Sequence, residues 1–170
     1  MSRHDLHKII IGRSEVLTFV DFHVSPVPAK TDTGAYRSAV HAQNIVLNKE
    51  TGILSFELLG GHRLCGKMAM RTETKEFLRV VVANSFGHQE ERYEVKLRVK
   101  LGPKVFMARF TLADRSKKIY PILLGRKLLN SRFLVDSAES SVNRIELKQQ
   151  YGIEFPKDEE EGRDEDRNLI

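Results

Sequence analysis

Apolar positions in this chain come in short runs rather than in long helical stripes. Ile9 to Ile11, Val16 to Val20, Ile53 to Leu59, Leu78 to Val82, Tyr93 to Val99, Val105 to Leu112 and Ile119 to Leu124 either alternate with polar residues or run apolar with β-branched enrichment. Side chains of a strand point alternately to its two faces, so this pattern predicts strands that bury one face or both. Glycine and polar clusters at Asn48 to Gly52, Gly60–Gly61, Asn84 to Gly87 and Gly102–Pro103 read as hairpin turns. One brief helix is predicted, from Arg126 to Ser131, directly after a buried strand end. Many short strands joined by tight turns make the fold all-β, a barrel or a sandwich.

The 170 residues fit one domain. Composition is that of a globular chain, 41% hydrophobic and 30% charged, and no apolar run approaches the roughly 20 residues that cross a bilayer. The N-terminal stretch around Ile9 to Ile11 lacks the apolar core of a secretory signal, so a cytoplasmic, non-membrane protein is expected. Cys65 is the single cysteine and has no partner for an internal disulfide.

Charge divides the chain. Residues 157–170 hold three Lys or Arg and seven Asp or Glu, leaving 25 basic and 16 acidic residues elsewhere, a balance of +9. A domain over 1–156 followed by an acidic, disordered tail over 157–170 is the expected division, since the tail offers no apolar face. A basic body attracts acidic peptides and nucleic acid alike, because steering depends on the sign of the charge. Against nucleic acid stand an aromatic content of 8%, the absence of Trp and the lack of a basic-aromatic stripe.

The chemistry concentrates at Ala29-Lys30-Thr31-Asp32-Thr33-Gly34-Ala35, a carboxylate at a strand end followed by a hydroxyl and a glycine. A hydrolytic aspartate must be rigidly held facing a water, and the glycine lets the chain turn sharply with a second backbone close by. Alone, Asp-Thr-Gly is ordinary turn composition. A second element, Pro121-Ile122-Leu123-Leu124-Gly125-Arg126, is an apolar strand that ends in Gly and enters the brief helix.

Together these segments resemble the template of retroviral-type aspartic peptidases. The resemblance is closer to a bacterial retropepsin-like family historically labelled ATP-dependent zinc proteases and associated with a glutamate ligase acting on a ribosomal protein. Its expected landmarks appear in order: Gly12-Arg13-Ser14-Glu15, Ala29 to Ala35, Ser38-Ala39-Val40-His41-Ala42, Asp114-Arg115-Ser116 and Leu123-Leu124-Gly125-Arg126. Arg13 departs from an expected Trp, and Tyr36-Arg37 from a commoner Arg-Thr, departures that bear on substrate choice.

The resemblance implies a closed retropepsin-like β-barrel carrying one half-site per chain. It implies Asp32 as the catalytic residue, with Thr33, Gly34, Ala35, Leu124, Gly125 and Arg126 supporting the active-site loop. Ser85, Phe86 and Gly87 would form the flap over the site, with Arg37 lining the cleft. Because peptide hydrolysis needs one carboxylate as base and another as acid, a homodimer bringing two Asp32 residues together is expected. Ala35 offers no side-chain hydroxyl to the aspartate, which moves the expected working pH toward neutral. The substrate is a peptide or protein, with glutamate-rich segments suggested by the basic body and by the ligase association; Arg37, Arg71, Arg126 and Lys127 are the candidate cations.

No cofactor is expected. His4, His7, His23, His41, His62 and His88 form no compact ligand pattern, so no metal is assigned and His41 is expected to be packed or hydrogen-bonded. Two rival classes remain: a non-catalytic β-barrel module binding RNA or a ribosomal surface, and a metal-dependent hydrolase. Cleavage abolished by Asp32→Asn but indifferent to chelator selects the aspartic mechanism.

Overall fold

The structure, a computed structural model, describes residues 8–83 and 86–153. Among these residues eleven strands and two short helices follow one another as β1 (Ile9–Ile11), β2 (Ser14–Phe19), β3 (Val27–Thr31), β4 (Ser38–Asn48), β5 (Ile53–Leu58), β6 (Met70–Thr74), β7 (Phe77–Ala83), β8 (Gln89–Leu101), β9 (Lys104–Ala113), β10 (Ile122–Leu124), α1 (Arg126–Leu129), β11 (Phe133–Val135) and α2 (Arg144–Tyr151). The predicted strand at Ile119 to Leu124 is reduced to its last three residues, and the predicted helix ends at Leu129 rather than Ser131.

Strand neighbours run β10, β3, β2, β8, β9, β4, and β4 pairs back to β10, closing a six-stranded barrel. Closure depends on β10, which lies parallel to β3 and antiparallel to β4. Its residues can occupy the middle of a sheet because Ile122 and Leu124 are fully buried. Inside the barrel sit Leu17, Phe19, Val27, Phe110 and Ile122, all with no exposed surface. Each such side chain contributes roughly 1.5–3 kcal/mol by leaving water, and Phe19 meets Phe110 edge to face at 6.4 Å.

β4 serves two layers. Ser38 to His41 pair with β9 inside the barrel wall, while Ala42 to Asn48 pair with β5, which carries β6 beyond it. The register shifts between Gln43 and Val46, where Asn44 takes a left-handed φ of 53°, a bulge that bends the strand out of the barrel. The stretch between residues 46 and 77 thus builds an outer flap of sheet rather than a wall of the barrel. β7 pairs with the first half of β8, forming a hairpin that extends past the barrel with Phe86 and Gly87 at its turn. Ser85 lies outside the described residues.

α2 was not foreseen. Its signals are local: the Asn143 side chain accepts from the N–H groups of Ile145 and Glu146, and Gly152 ends the helix in a left-handed conformation. No helix among the described residues is long and apolar enough to cross a membrane.

Candidate active site

Asp32 follows the last residue of β3, and that strand end is pinned from two sides. The Thr31 hydroxyl donates to the Gly12 carbonyl at 2.8 Å, and the Thr31 N–H donates to the Arg13 carbonyl at 2.9 Å. The Asp32 N–H donates to the Leu124 carbonyl at 2.9 Å, so the threading strand β10 fixes the aspartate backbone.

The loop then turns back on the carboxylate. Oδ1 of Asp32 accepts from the N–H groups of Gly34 at 2.9 Å and Ala35 at 3.1 Å. A β-carbon at position 34 would sit 3.2 Å from that oxygen, which is the close approach the glycine permits. Oδ2 has no hydrogen-bond partner among the described residues and is the oxygen left to meet a ligand.

Beneath the loop, Arg126 donates through Nη1 to the carbonyls of Thr33 at 3.0 Å and Gly34 at 2.8 Å, and its N–H donates to the Ala35 carbonyl at 2.8 Å. Gly125 is wedged against the same loop: a β-carbon there would lie 2.5 Å from the Arg37 carbonyl. Its N–H donates to the Ser38 hydroxyl at 3.0 Å. The two segments singled out in the sequence are therefore one construction, in which residues 124–126 supply hydrogen bonds and space to residues 32–38.

Two clefts meet at this loop. One, of about 620 Å³, runs past Arg13, Lys30, Asp32, Lys117, Tyr120 and Arg144. The other, of about 610 Å³, lies between the loop and the β7–β8 hairpin, with Ala35, Arg37, Val82, His88 and Arg92 along it. Arg115 and Leu123 line both. Burial pulls the Arg115 guanidinium down to about 10, with nearby Arg92 acting in the same sense and Asp32 opposing it, so it stays charged near neutral pH.

The first cleft is strongly cationic. Lys30, Lys117, Lys118 and Arg144 line it, and none of their charged ends has a carboxylate partner among the described residues. Of the four cations considered from sequence, only Arg37 lines either cleft; Arg71 stands exposed on β6, Arg126 is turned to the loop carbonyls, and Lys127 faces Glu94. Lys30 was within the motif and Arg115 within a landmark segment, so the signal was present as charge inside those segments.

Glu94 is a site residue that sequence reasoning missed. It is 1% exposed on β8, and its carboxylate meets Arg37 through Oε2 at 2.5 Å and Lys127 and Arg109 through Oε1 at 3.6 and 3.8 Å. Arg37 belongs to the aspartate loop and Lys127 to α1, so one buried carboxylate ties both halves of the construction together. Nothing in a lone Glu amid alternating strand residues announces this.

His41 and His62 lie together with ring centroids 5.3 Å apart. Nδ1 of His41 accepts from the Arg115 N–H, and Nδ1 of His62 accepts from the Leu64 N–H. Their Nε2 atoms donate to the carbonyls of Gly60 and Lys118. Both rings have both nitrogens committed to backbone, which does not fit a metal ligand, and among the described residues no three His, Cys, Asp or Glu side chains group as a metal site. Burial raises the Cys65 thiol to about 12, so it is inert as a nucleophile. The Gly12 to Glu15 segment is also structural: Glu15 accepts from the Gly12 N–H at 2.6 Å and from the Ser141 hydroxyl at 2.5 Å.

A closed six-stranded barrel threaded by β10 beside an Asp-Thr-Gly loop defines a retropepsin-like domain. The chain belongs to the RimB-like family, described as retropepsin-like aspartic endopeptidase RimB, whose model matches residues 10–146. It is similar to a protein named probable alpha-L-glutamate ligase from Shewanella halifaxensis, 34% identical over 159 residues that cover 89% of this chain and 34% of the relative. A protein of the same name from Desulfotalea psychrophila is 29% identical, covering 91% of this chain and 34% of that one. The chain thus spans about a third of the length of the curated relatives it matches. Among solved structures, a Legionella pneumophila protein of unknown function is similar with a TM-score of 0.60 and 30% identity, covering 77% of this chain and 95% of that one.

Proposed function

We propose that this protein is an aspartic peptidase that acts as a homodimer, hydrolysing peptide bonds within glutamate-rich segments through a pair of Asp32 carboxylates. The observation that carries this reading is the state of Asp32. One oxygen is held by two loop N–H groups and the other is free of partners, where two clefts meet. A carboxylate so oriented can take a proton from water.

One chain offers one such carboxylate, and hydrolysis needs a second to give a proton to the scissile carbonyl oxygen. A two-fold axis passing between two Asp32 loops supplies it. Two carboxylates that close hold a single proton between them, since like charges at short range resist joint ionisation, and so one acts as base and its twin as acid. Water attacks the carbonyl carbon, the protonated aspartate gives its proton to the oxygen, and the aspartate that accepted water's proton passes it to the leaving nitrogen as the C–N bond breaks.

Acidic substrates are favoured by the unpaired cations beside Asp32. The ligase name of the related chains supports the same direction, because a hydrolase for glutamate-rich segments is the natural counterpart of an enzyme that joins glutamate.

The test is cleavage of a glutamate-rich peptide by the purified protein, with sedimentation in parallel. Asp32→Asn is expected to lower turnover by orders of magnitude while leaving folding and assembly intact, and chelator is expected to have no effect. Unchanged turnover in Asp32→Asn, or full activity from a strict monomer, overturns the reading.

A further inference from the structure

Among the described residues that line the first cleft, Asp32 is the one carboxylate, and the cations set against it are not alike. Lys30, Lys117, Lys118 and Arg144 are exposed, and Arg13 is committed to the carbonyls of Ser137 and Ala138. An exposed charge on a flexible stem steers a ligand by its sign but discriminates poorly between positions along it. Arg115 differs, because it is half-buried and lines the second cleft as well.

Arg115 is held in place before any ligand arrives. Its N–H donates to Nδ1 of His41 at 2.9 Å, and its carbonyl accepts from the Lys118 N–H at 2.8 Å. Nε donates to the Tyr120 carbonyl at 3.0 Å, which fixes the plane of the guanidinium. The next residue is latched too, since the Ser116 carbonyl accepts from the Tyr151 hydroxyl at 2.6 Å. A group fixed in this way loses little freedom on binding.

Three carboxylates stand near enough in chain or space to neutralise this guanidinium, and none does. Asp114 accepts from the Ser116 N–H at 2.9 Å, and Glu90 in the second cleft is paired with Arg92 at 2.7 Å. The charge of Asp32 is felt at Arg115, but Oδ1 of Asp32 is held by its own loop and no ion pair joins the two residues. The two Nη groups of Arg115 thus have no partner among the described residues, at the junction of both clefts.

We propose that Arg115 is the specificity-determining residue of this site, its two Nη groups gripping a substrate carboxylate immediately beside the bond that is broken at Asp32. A chain laid over Asp32 from one cleft to the other passes Arg115. The carboxylate is that of an acidic side chain flanking the bond, or the α-carboxylate of a chain that ends there. The planar fork of the guanidinium matches the two carboxylate oxygens. Burial already disfavours the lone charge of Arg115, so a carboxylate that displaces water gains more there than at an exposed lysine. A glutamine amide has the same shape but leaves an Nη group unpaired, which is the basis for rejecting it. The position of the broken bond rests on the peptidase reading above; the grip on a carboxylate does not.

The test uses a glutamate-rich peptide with Glu→Gln at one position at a time, its C-terminus free or amidated, and mass spectrometry of the products. In the natural protein, cleavage beside the glutamine is expected to fall about ten- to a hundredfold relative to the other bonds of the same peptide. A loss that follows amidation instead marks the chain end as the carboxylate. In Arg115→Gln the discrimination is expected to vanish, whereas Lys117→Gln is expected to slow all bonds by a similar, salt-sensitive factor. Arg115→Lys keeps the charge without the fork and is expected to restore only part of the preference. Melting temperatures establish that each variant folds.

A folded Arg115→Gln protein that keeps the natural preference overturns the proposal. So does one that slows every bond equally, the mark of a role confined to Asp32 or to the loop. If Arg115→Gln does not fold, an undiminished preference in Arg115→Lys overturns it. In the Asp32→Asn background, the preference in affinity for the glutamate-rich peptide over its all-glutamine counterpart is expected to shrink more in Arg115→Gln than in Lys117→Gln. That result without cleavage by the natural protein leaves the grip standing and removes the peptidase reading; cleavage whose preference ignores Arg115 does the reverse.

Discussion

The backbone N–H of Arg115 donates to Nδ1 of His41 at 2.9 Å, while the far side of the same ring donates to the Gly60 carbonyl at 2.8 Å. A ring that is 2% exposed thus spans the gap between the Gly60 turn and the loop that brings Arg115 to Asp32. Replacing His41 by Ala leaves the part-buried Arg115 N–H and the buried Gly60 carbonyl without partners. The expected loss is about 2–6 kcal/mol, from roughly 1–3 kcal/mol for each orphaned group, read as a lower urea midpoint. A midpoint equal to that of the natural protein would mean the ring is not what holds this loop.

Acid should loosen the same region through His62. Burial, opposed by the hydrogen bond to the Lys118 carbonyl, holds its ionisation below the ordinary 6.5. A folded value below the unfolded one means the unfolded chain takes up the proton first. The contribution to stability is whole above pH 6.5 and is lost as pH falls through the lowered folded value. Urea midpoints measured at about pH 7.5 and about pH 5.5 should differ more in the natural protein than in His62→Gln. Equal differences would assign the acid sensitivity to other groups.

Glu94→Gln keeps the shape of the side chain and removes its charge, leaving Arg37, Arg109 and Lys127 without their shared carboxylate. The carboxylate is buried but the three cations left behind are partly exposed and screened by solvent, so a cost of about 1.5–3 kcal/mol is expected. Because Arg37 follows the aspartate loop, turnover should fall along with the melting temperature. Stability retained at high and low salt alike would show that the cluster contributes little.

At Gly125 the expected outcome is steric. An alanine there places a β-carbon 2.5 Å from the Arg37 carbonyl, backbone against backbone, and the loop must shift to admit it. A cost of about 1–3 kcal/mol is expected, with a larger proportional loss of turnover than of stability, since the displaced atoms lie next to Asp32. Full turnover in Gly125→Ala would argue that the loop tolerates movement.

How legible this was from sequence varied with the range of the interaction. β2, β5, β8 and β9 announced themselves, because a strand buried on one face must alternate. β4 did not, since it is buried on both faces over Ser38 to Ala42 and alternates only beyond its bulge. β6 was invisible for a related reason: Met70 is its one buried residue, so Arg71 to Thr74 read as loop. Asp32 and Gly125 could be paired in advance because their short, contiguous motifs carry the resemblance that sets them side by side. The cations that line the cleft could not, because Lys30, Lys117 and Arg144 come from three distant segments and only the folded barrel makes them neighbours. Arg126, by contrast, looked like a substrate-binding cation and is spent on holding the Thr33 and Gly34 carbonyls.

The bond from the Asp32 N–H to the Leu124 carbonyl joins residues 92 positions apart in the chain. β10 must enter between β3 and β4, which are otherwise close in sequence, so the barrel closes through its most distant contact and carries the entropy of a long loop. A growing chain that has emerged only as far as β9 has the Asp-Thr-Gly loop and its Gly12 and Arg13 anchors but not Leu124, Gly125 or Arg126, which hold the loop from its other side. Synthesis itself thus leaves the Asp32 loop half-anchored until the last strand of the barrel is in place.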